Sequence, residues 1–236
     1  MVGSVRSTIS SKARRVQRRV AHRAGPLVFL HVGKTGGTAI KNALRPCMDK
    51  SPYAIELRKH ETTMMDVPSG TPFFFATRDP IERFVSGFGS RYRRRAQANS
   101  PLTEDERHAF SRFATPNDLA EAIGTPDADH AMRSIQHVRS SYWEWFGDEQ
   151  QFLARERDMF CILRQRELTS DFELLATRLG LAGRAVLPTD VARAHLDPGD
   201  FDRYLSRLAI ANLTRWYARE FDFLRVYGDV YARLAP

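Results

Sequence analysis

Two kinds of segment alternate along the chain. Residues 27–30 (LVFL) and 73–75 (FFF) are continuous apolar runs, as expected of strands buried on both faces. Less pure runs of the same length follow the same pattern, and we expect strands at 27–32, 53–57, 73–77 and 159–163. Between and after them apolar residues recur at helical spacing. That pattern predicts helices at 36–45, 80–95, 103–113, 117–123, 128–146, 170–180 and 200–221. Strands separated by helical crossovers predict the α/β class, a three-layer sandwich with a central parallel sheet and helices on both sides. Turn-forming triplets at 99–101 (NSP), 115–117 (TPN) and 124–126 (GTP) punctuate the stretch 91–150, which reads as a helical insertion. Leu205, Leu208, Asn212, Trp216 and Phe223 fall near helical spacing, marking the C-terminal helix as a packing element.

The connections after the first and third strands carry the candidate chemistry. Residues 27–44 read LVFLHVGKTGGTAIKNAL: a strand, a glycine-bearing turn and a helix. Backbone N–H groups at a helix start point at an anion, and the helix dipole favours negative charge there. Gly36 and Gly37 let the backbone approach closely, Lys34 adds a point charge, and Thr35 and Thr38 offer hydroxyls. A Walker A loop needs its first glycine at position 28, where Val28 stands, so the expected anion is not an ordinary Mg-nucleotide triphosphate. Residues 72–89 read PFFFATRDPIERFVSGFG. Arg78 follows the strand, Asp79-Pro80 opens a helix with Pro at its first position, and Ser86 lies one helical stretch further on. Ligands of open α/β sheets sit beyond the carboxyl ends of the strands, so both loops are expected to open on one side.

A K-T-G-G-T loop after the first strand, followed by R-D-P-x-x-R-F-x-S after a later one, resembles the sulfotransferases that use 3′-phosphoadenosine 5′-phosphosulfate. The nearest branch is the carbohydrate sulfotransferases, with their heparan-sulfate, membrane-bound glycan and bacterial types. The resemblance covers residues 26–90 well and continues more weakly through FCILRQREL at 160–168. It implies a P-loop-like fold and transfer of a sulfonate group to a hydroxyl of a saccharide or glycolipid. The phosphosulfate is then the co-substrate, and no metal is required. Carried onto this chain, Lys34, Thr35, Gly36, Gly37 and Thr38 cradle the 5′ end of that donor, while Arg78 and Ser86 clamp its 3′-phosphate. Such a transfer asks for positioning and for stabilisation of the leaving phosphate, a task for Lys34. The acceptor hydroxyl needs a base with a pKa near neutrality. His60 is the expected base, because these enzymes often place a histidine or glutamate in the connection after the second strand; Glu61 is the fallback.

Other residues have a plain reading beside a functional one. His31 is read as a strand-end residue that could contact the donor. Arg91, Arg93, Arg94 and Arg95 form either an acceptor-side patch for an acidic head group or a solvated helix end. Gln136 and His137 could read sugar hydroxyls. Tyr142, Trp143, Trp145 and Phe146 are expected in the core, with a sugar platform as the other reading. Arg164 either reaches the nucleotide or pairs with Glu167.

Composition adds bounds. The chain has 236 residues, enough for one α/β domain, and a net charge of +8. Seven of those charges lie in residues 1–25, which hold no acid. We expect a basic arm (1–25) and a sulfotransferase domain (26–236), the latter nearly neutral and not a nucleic-acid binder. The arm reads as a solvated tail, as a peripheral contact with anionic lipid, or as a transit peptide. There is no transmembrane run and no secretory apolar region, and a cytoplasmic location is expected. Cys47 and Cys161 are too few for a disulfide framework. Two rival functions stay open: a P-loop-like kinase using ATP, and a non-catalytic binder of anionic surfaces through the arm and the Arg91–Arg95 cluster.

Overall fold

Alternation along the strands sets the layers. In β1 (Pro26–Leu30), Leu27 and Phe29 join one apolar cluster while Val28 and Leu30 join another. In β3 (Phe73–Thr77), Phe74 and Ala76 go to the first side, Phe73 and Phe75 to the second. A strand that feeds two cores must be covered on both faces, and β3 is buried at all five positions. The computed structural model, which describes residues 24–96, 102–189 and 202–234, shows that cover. The basic arm lies outside the described residues, except that Ala24 N–H donates to Pro52 O and Gly25 O accepts from Ala54 N–H beside the sheet.

With β2 (Ala54–Leu57) and β4 (Met159–Arg164), the strands form one all-parallel sheet in the order β2-β1-β3-β4. One residue of β4, Phe160, is skipped in the register with β3, where Phe73 pairs with Met159 and Phe74 with Cys161. The first face carries α1 (Gly37–Leu44), through Ile40, Ala43 and Leu44, and the helix after β4. On the other face, Phe146 and Phe152 pack against Phe75, and Phe223 stacks on both Phe146 and Tyr142. A third cluster belongs to the helical insertion. There α2 (Pro80–Tyr92), α3 (Glu104–Arg112), α4 (Pro116–Glu121) and α5 (Pro126–Ser134) pack with the C-terminal region through Phe84, Phe88, Phe110, Leu119 and Leu213. Each fully buried side chain of this kind contributes about 1.5–3 kcal/mol.

All four strands lie where the apolar runs placed them, within two residues. The helices differ in two places. The helix expected over 128–146 is interrupted: α5 ends at Ser134, a turn follows, and only α6 (Trp143–Phe146) resumes. Beyond it stands α7 (Glu149–Ala154), started by a capping box between Asp148 and Gln151. After α8 (Leu168–Arg178), the helix expected over 200–221 is two helices, α9 (Arg207–Trp216) and α10 (Ala218–Leu234); residues 200 and 201 lie outside the described residues. Within it Asn212 and Phe223 are buried, whereas Leu208 is exposed, so the inward face of α9 is carried by Ala209 and Leu213 instead. Among the described residues no helix is long and apolar enough to cross a membrane.

Candidate active site

In a 2-1-3-4 order the chain leaves β1 toward one edge and returns at β3 on the other side of β1. The crevice at this switch lies between the carboxyl ends of β1 and β3, where the loops 31–36 and 78–79 emerge. A cleft of 1190 Å³ opens there. The residues that line it include Lys34, Gly36, Gly37, Thr38, His60, Arg78 and Ser86. The two motifs meet directly: the Arg78 guanidinium donates to the Lys34 carbonyl at 3.4 Å.

The first loop is shaped by backbone conformation. Lys34 has φ +66° and Gly36 φ +90°, both left-handed, and the chain then enters α1. Alternation of this kind turns successive N–H groups into a concave anion site. The N–H groups of Gly36, Gly37 and Thr38 make no backbone hydrogen bond among the described residues. Gly37 is required by its neighbour, since a Cβ there would stand 2.1 Å from the His31 ring. Thr35 differs from the expectation for its side chain. It is fully buried and its hydroxyl donates to Val32 O at 3.0 Å, so it braces the turn and does not line the cleft.

The second loop is held by a ring of buried contacts. Asp79 caps α2 by accepting from the N–H groups of Ile81 and Glu82. The Tyr142 hydroxyl lies between both backbone groups of Arg78, accepting from its N–H at 2.8 Å and donating to its C=O at 2.7 Å. Arg83 packs its guanidinium over the Tyr142 ring and pairs with buried Glu220 of α10, which also accepts from Tyr142 N–H. Arg78 itself is mostly buried, with Glu82 3.5 Å from a Nε that makes no hydrogen bond. Burial makes its positive charge costly and pulls its pKa down, a cost that a bound anion would offset. The fully buried Tyr142 is in the core, as the aromatic run predicts, but its clamp on Arg78 has no local signal in the sequence. Tyr142→Phe is expected to destabilise the fold by about 1–3 kcal/mol in urea unfolding, because it strips two part-buried backbone groups of their partner. It should also weaken binding of an anion at Arg78; unaltered binding would mean that the guanidinium needs no such clamp.

Three histidines stand at the third side of the cleft. His60, in the connection after β2, brings Nδ1 to 3.2 Å from the His31 carbonyl. A carbonyl only accepts, so Nδ1 carries the proton and Nε2 keeps its lone pair. Trp145 Nε1 donates to His60 O at 2.8 Å and fixes that backbone. Partial burial lowers the His60 pKa, partly opposed by the bond to His31. The His31 ring lies 3.8 Å from the His60 ring, centroid to centroid, and burial with nearby cations pushes its pKa down to about 2. The His137 ring is 6.3 Å from that of His60. Glu61 is exposed and does not line the cleft.

The remaining sequence candidates divide. Arg93 and Arg94 line the cleft, whereas Arg91 is buried in a pair with Glu106 and Arg95 stacks on Tyr92. The four arginines are therefore not one surface patch. Arg164 chelates Asp171 of α8, not Glu167, and does not line the cleft. Gln136 is exposed outside the cleft. The cleft also has an apolar wall of Leu168, Phe172, Ala176, Ala185 and Val186, unforeseen because it joins α8 to the loop after it. Among the described residues no cluster of His, Cys, Asp or Glu is arranged to hold a metal ion.

The family model described as "Sulfotransferase family" matches residues 18–174, from before β1 into α8 and across both loops. No curated protein and no solved structure matches the chain. An all-parallel sheet flanked by helices, with the two motif-bearing loops at its switch point, is the frame that this match spans. The chain belongs to the sulfotransferase family.

Proposed function

We propose that this chain moves a sulfonate group from 3′-phosphoadenosine 5′-phosphosulfate to a hydroxyl of a saccharide or glycolipid. The observation that carries the reading is the convergence of Lys34, Arg78 and the free Nε2 of His60 on one cleft. The donor set suits the co-substrate: a backbone cradle with a lysine for one anionic group, an arginine with Ser86 for a second, and an apolar wall for the base ring between Leu168 and Val186. The co-substrate brings an activated sulfonate on a good leaving group. The protein's part is then electrostatic and positional. Nε2 of His60 takes the acceptor's proton, the acceptor oxygen bonds to sulfur, and the electron pair of the broken S–O bond stays on the leaving phosphate. Lys34 and the loop N–H groups balance that charge. The kinase reading is weaker because Thr35, the residue that would present a hydroxyl to a nucleotide-bound metal, has turned that hydroxyl inward to Val32.

Incubation with ³⁵S-labelled phosphosulfate and crude glycolipid and polysaccharide extracts is expected to label a saccharide-bearing product. Adenosine 3′,5′-bisphosphate, the desulfated product, is expected to bind and to inhibit. Phosphate transfer from ATP with Mg²⁺, with no label moved from the phosphosulfate, would replace this reading with the kinase.

A further inference from the structure

His137 has no role in the reading above, yet three contacts hold its backbone in place. Its φ is +72°, a conformation that a bulky side chain rarely adopts. On one side, Gln136 N–H donates to Glu106 at 3.0 Å, and Glu106 is fully buried and paired with Arg91 of α2. On the other, the Val138 carbonyl accepts from the buried Tyr217 hydroxyl at 2.8 Å. Between them the His137 carbonyl lies against Gly87, where a Cβ would come within 3.0 Å. A turn of this shape would form with less strain around glycine or asparagine. The backbone alone therefore gives no reason for histidine here.

The ring supplies the reason. It lines the cleft beside the donor loop, with Nδ1 3.8 Å from the place a Cβ on Gly33 would occupy. On its other flank is the His60 ring. Its nitrogens hydrogen-bond to no described residue. A strained residue held at three points, with its ring lining the cleft, is built to meet a ligand. In the reading proposed above, sulfur travels between the phosphate at Lys34 and the oxygen at His60, and His137 stands beside both.

Resting on that reading, we propose that His137 donates a hydrogen bond to the sulfonate oxygens of the donor. Burial and the Lys34 charge hold its pKa down to about 3, so the ring is neutral at physiological pH. It then donates through its single N–H and keeps its proton, while His60 alone takes the proton of the acceptor. A neutral donor here also adds no further cation to a cleft that already holds Lys34 and Arg78.

Two ligands separate this role from donor binding in general, and neither requires an acceptor. Adenosine 3′,5′-bisphosphate lacks the sulfonate, and the phosphosulfate carries it. In calorimetric titrations, His137→Ala is expected to weaken the phosphosulfate about tenfold, the loss of one hydrogen bond to a charged group, and to leave the bisphosphate unchanged. His137→Asn keeps an N–H donor and tolerates the left-handed backbone, and is expected to recover most of the difference. Equal losses for both ligands, or no loss for either, overturn the proposal. A wild-type protein that binds neither ligand overturns the donor reading first and the proposal with it.

Discussion

Replacing His60 by alanine is expected to cut turnover by about 10²- to 10⁴-fold, the usual contribution of a positioned general base. Binding of adenosine 3′,5′-bisphosphate should stay as in the wild type, since in the proposed reading the ring meets the acceptor and the backbone contact to Trp145 uses the His60 carbonyl, which the substitution keeps. The pH profile supplies the sharper test. A base works in its neutral form, and burial lowers the His60 pKa below the ordinary 6.5. Neutral His60 therefore persists into mildly acidic solution, and rate falls only as pH drops through that lowered value. The wild-type acid limb is expected below pH 6.5, and in His60→Ala it should disappear, leaving a low and flat rate. His31 and His137 do not interfere in that window, because their pKa values lie near 2 and 3. A variant that keeps the full rate, or keeps the acid limb, would remove His60 as the base. Exposed Glu61, outside the cleft, would then be the next residue to replace.

What the sequence revealed and what it hid follow one physical division. The strands were legible because each is a short run whose apolar character does not depend on partners: Phe73, Phe74 and Phe75 are buried wherever a sheet forms around them. The two loops were legible for the same reason, since Gly36, Lys34 and the Asp79-Pro80 cap act within a few residues of themselves. Distant contacts were not legible. The helix expected through 128–146 breaks because Glu106, thirty residues away in the chain, takes the Gln136 N–H, and Gly87 makes room for the His137 carbonyl. Arg91 looked like part of a surface cluster, but its partner Glu106 sits on another helix and burial closes over both. Burial alone would raise the Glu106 pKa; the hydrogen bonds from Arg91 and from two backbone N–H groups instead hold it below the ordinary value. The Thr35 hydroxyl went inward because the left-handed turn at Lys34 brings the Val32 carbonyl within reach. Tyr142 was legible as core and illegible as a clamp, because only its last atom does the clamping.

Removal of the Lys34 charge separates cradle from catalyst. In the proposed reading the loop's backbone N–H groups bind the donor and the desulfated product alike, whatever side chain stands at 34. In that reading Lys34 adds a full charge where negative charge grows as the S–O bond opens, and an interaction stronger in the transition state than in the ground state raises turnover more than affinity. Lys34→Met keeps the length and the apolar stem, and it keeps a residue with a Cβ at the same left-handed position, so the turn is under the same strain as before. Expected is a fall in kcat of about 10²–10³, the cost of losing one preorganised stabilising group, with a much smaller rise in KM for the phosphosulfate. Lys34→Arg is expected to restore only part of the rate, since a planar fork does not reproduce a compact point charge in a tight turn. If KM rises as much as kcat falls, Lys34 merely holds the donor and the backbone cradle carries the electrostatics of the step. If neither moves, the loop is not where the leaving phosphate sits, and the placement of the donor across Lys34 and Arg78 fails with it.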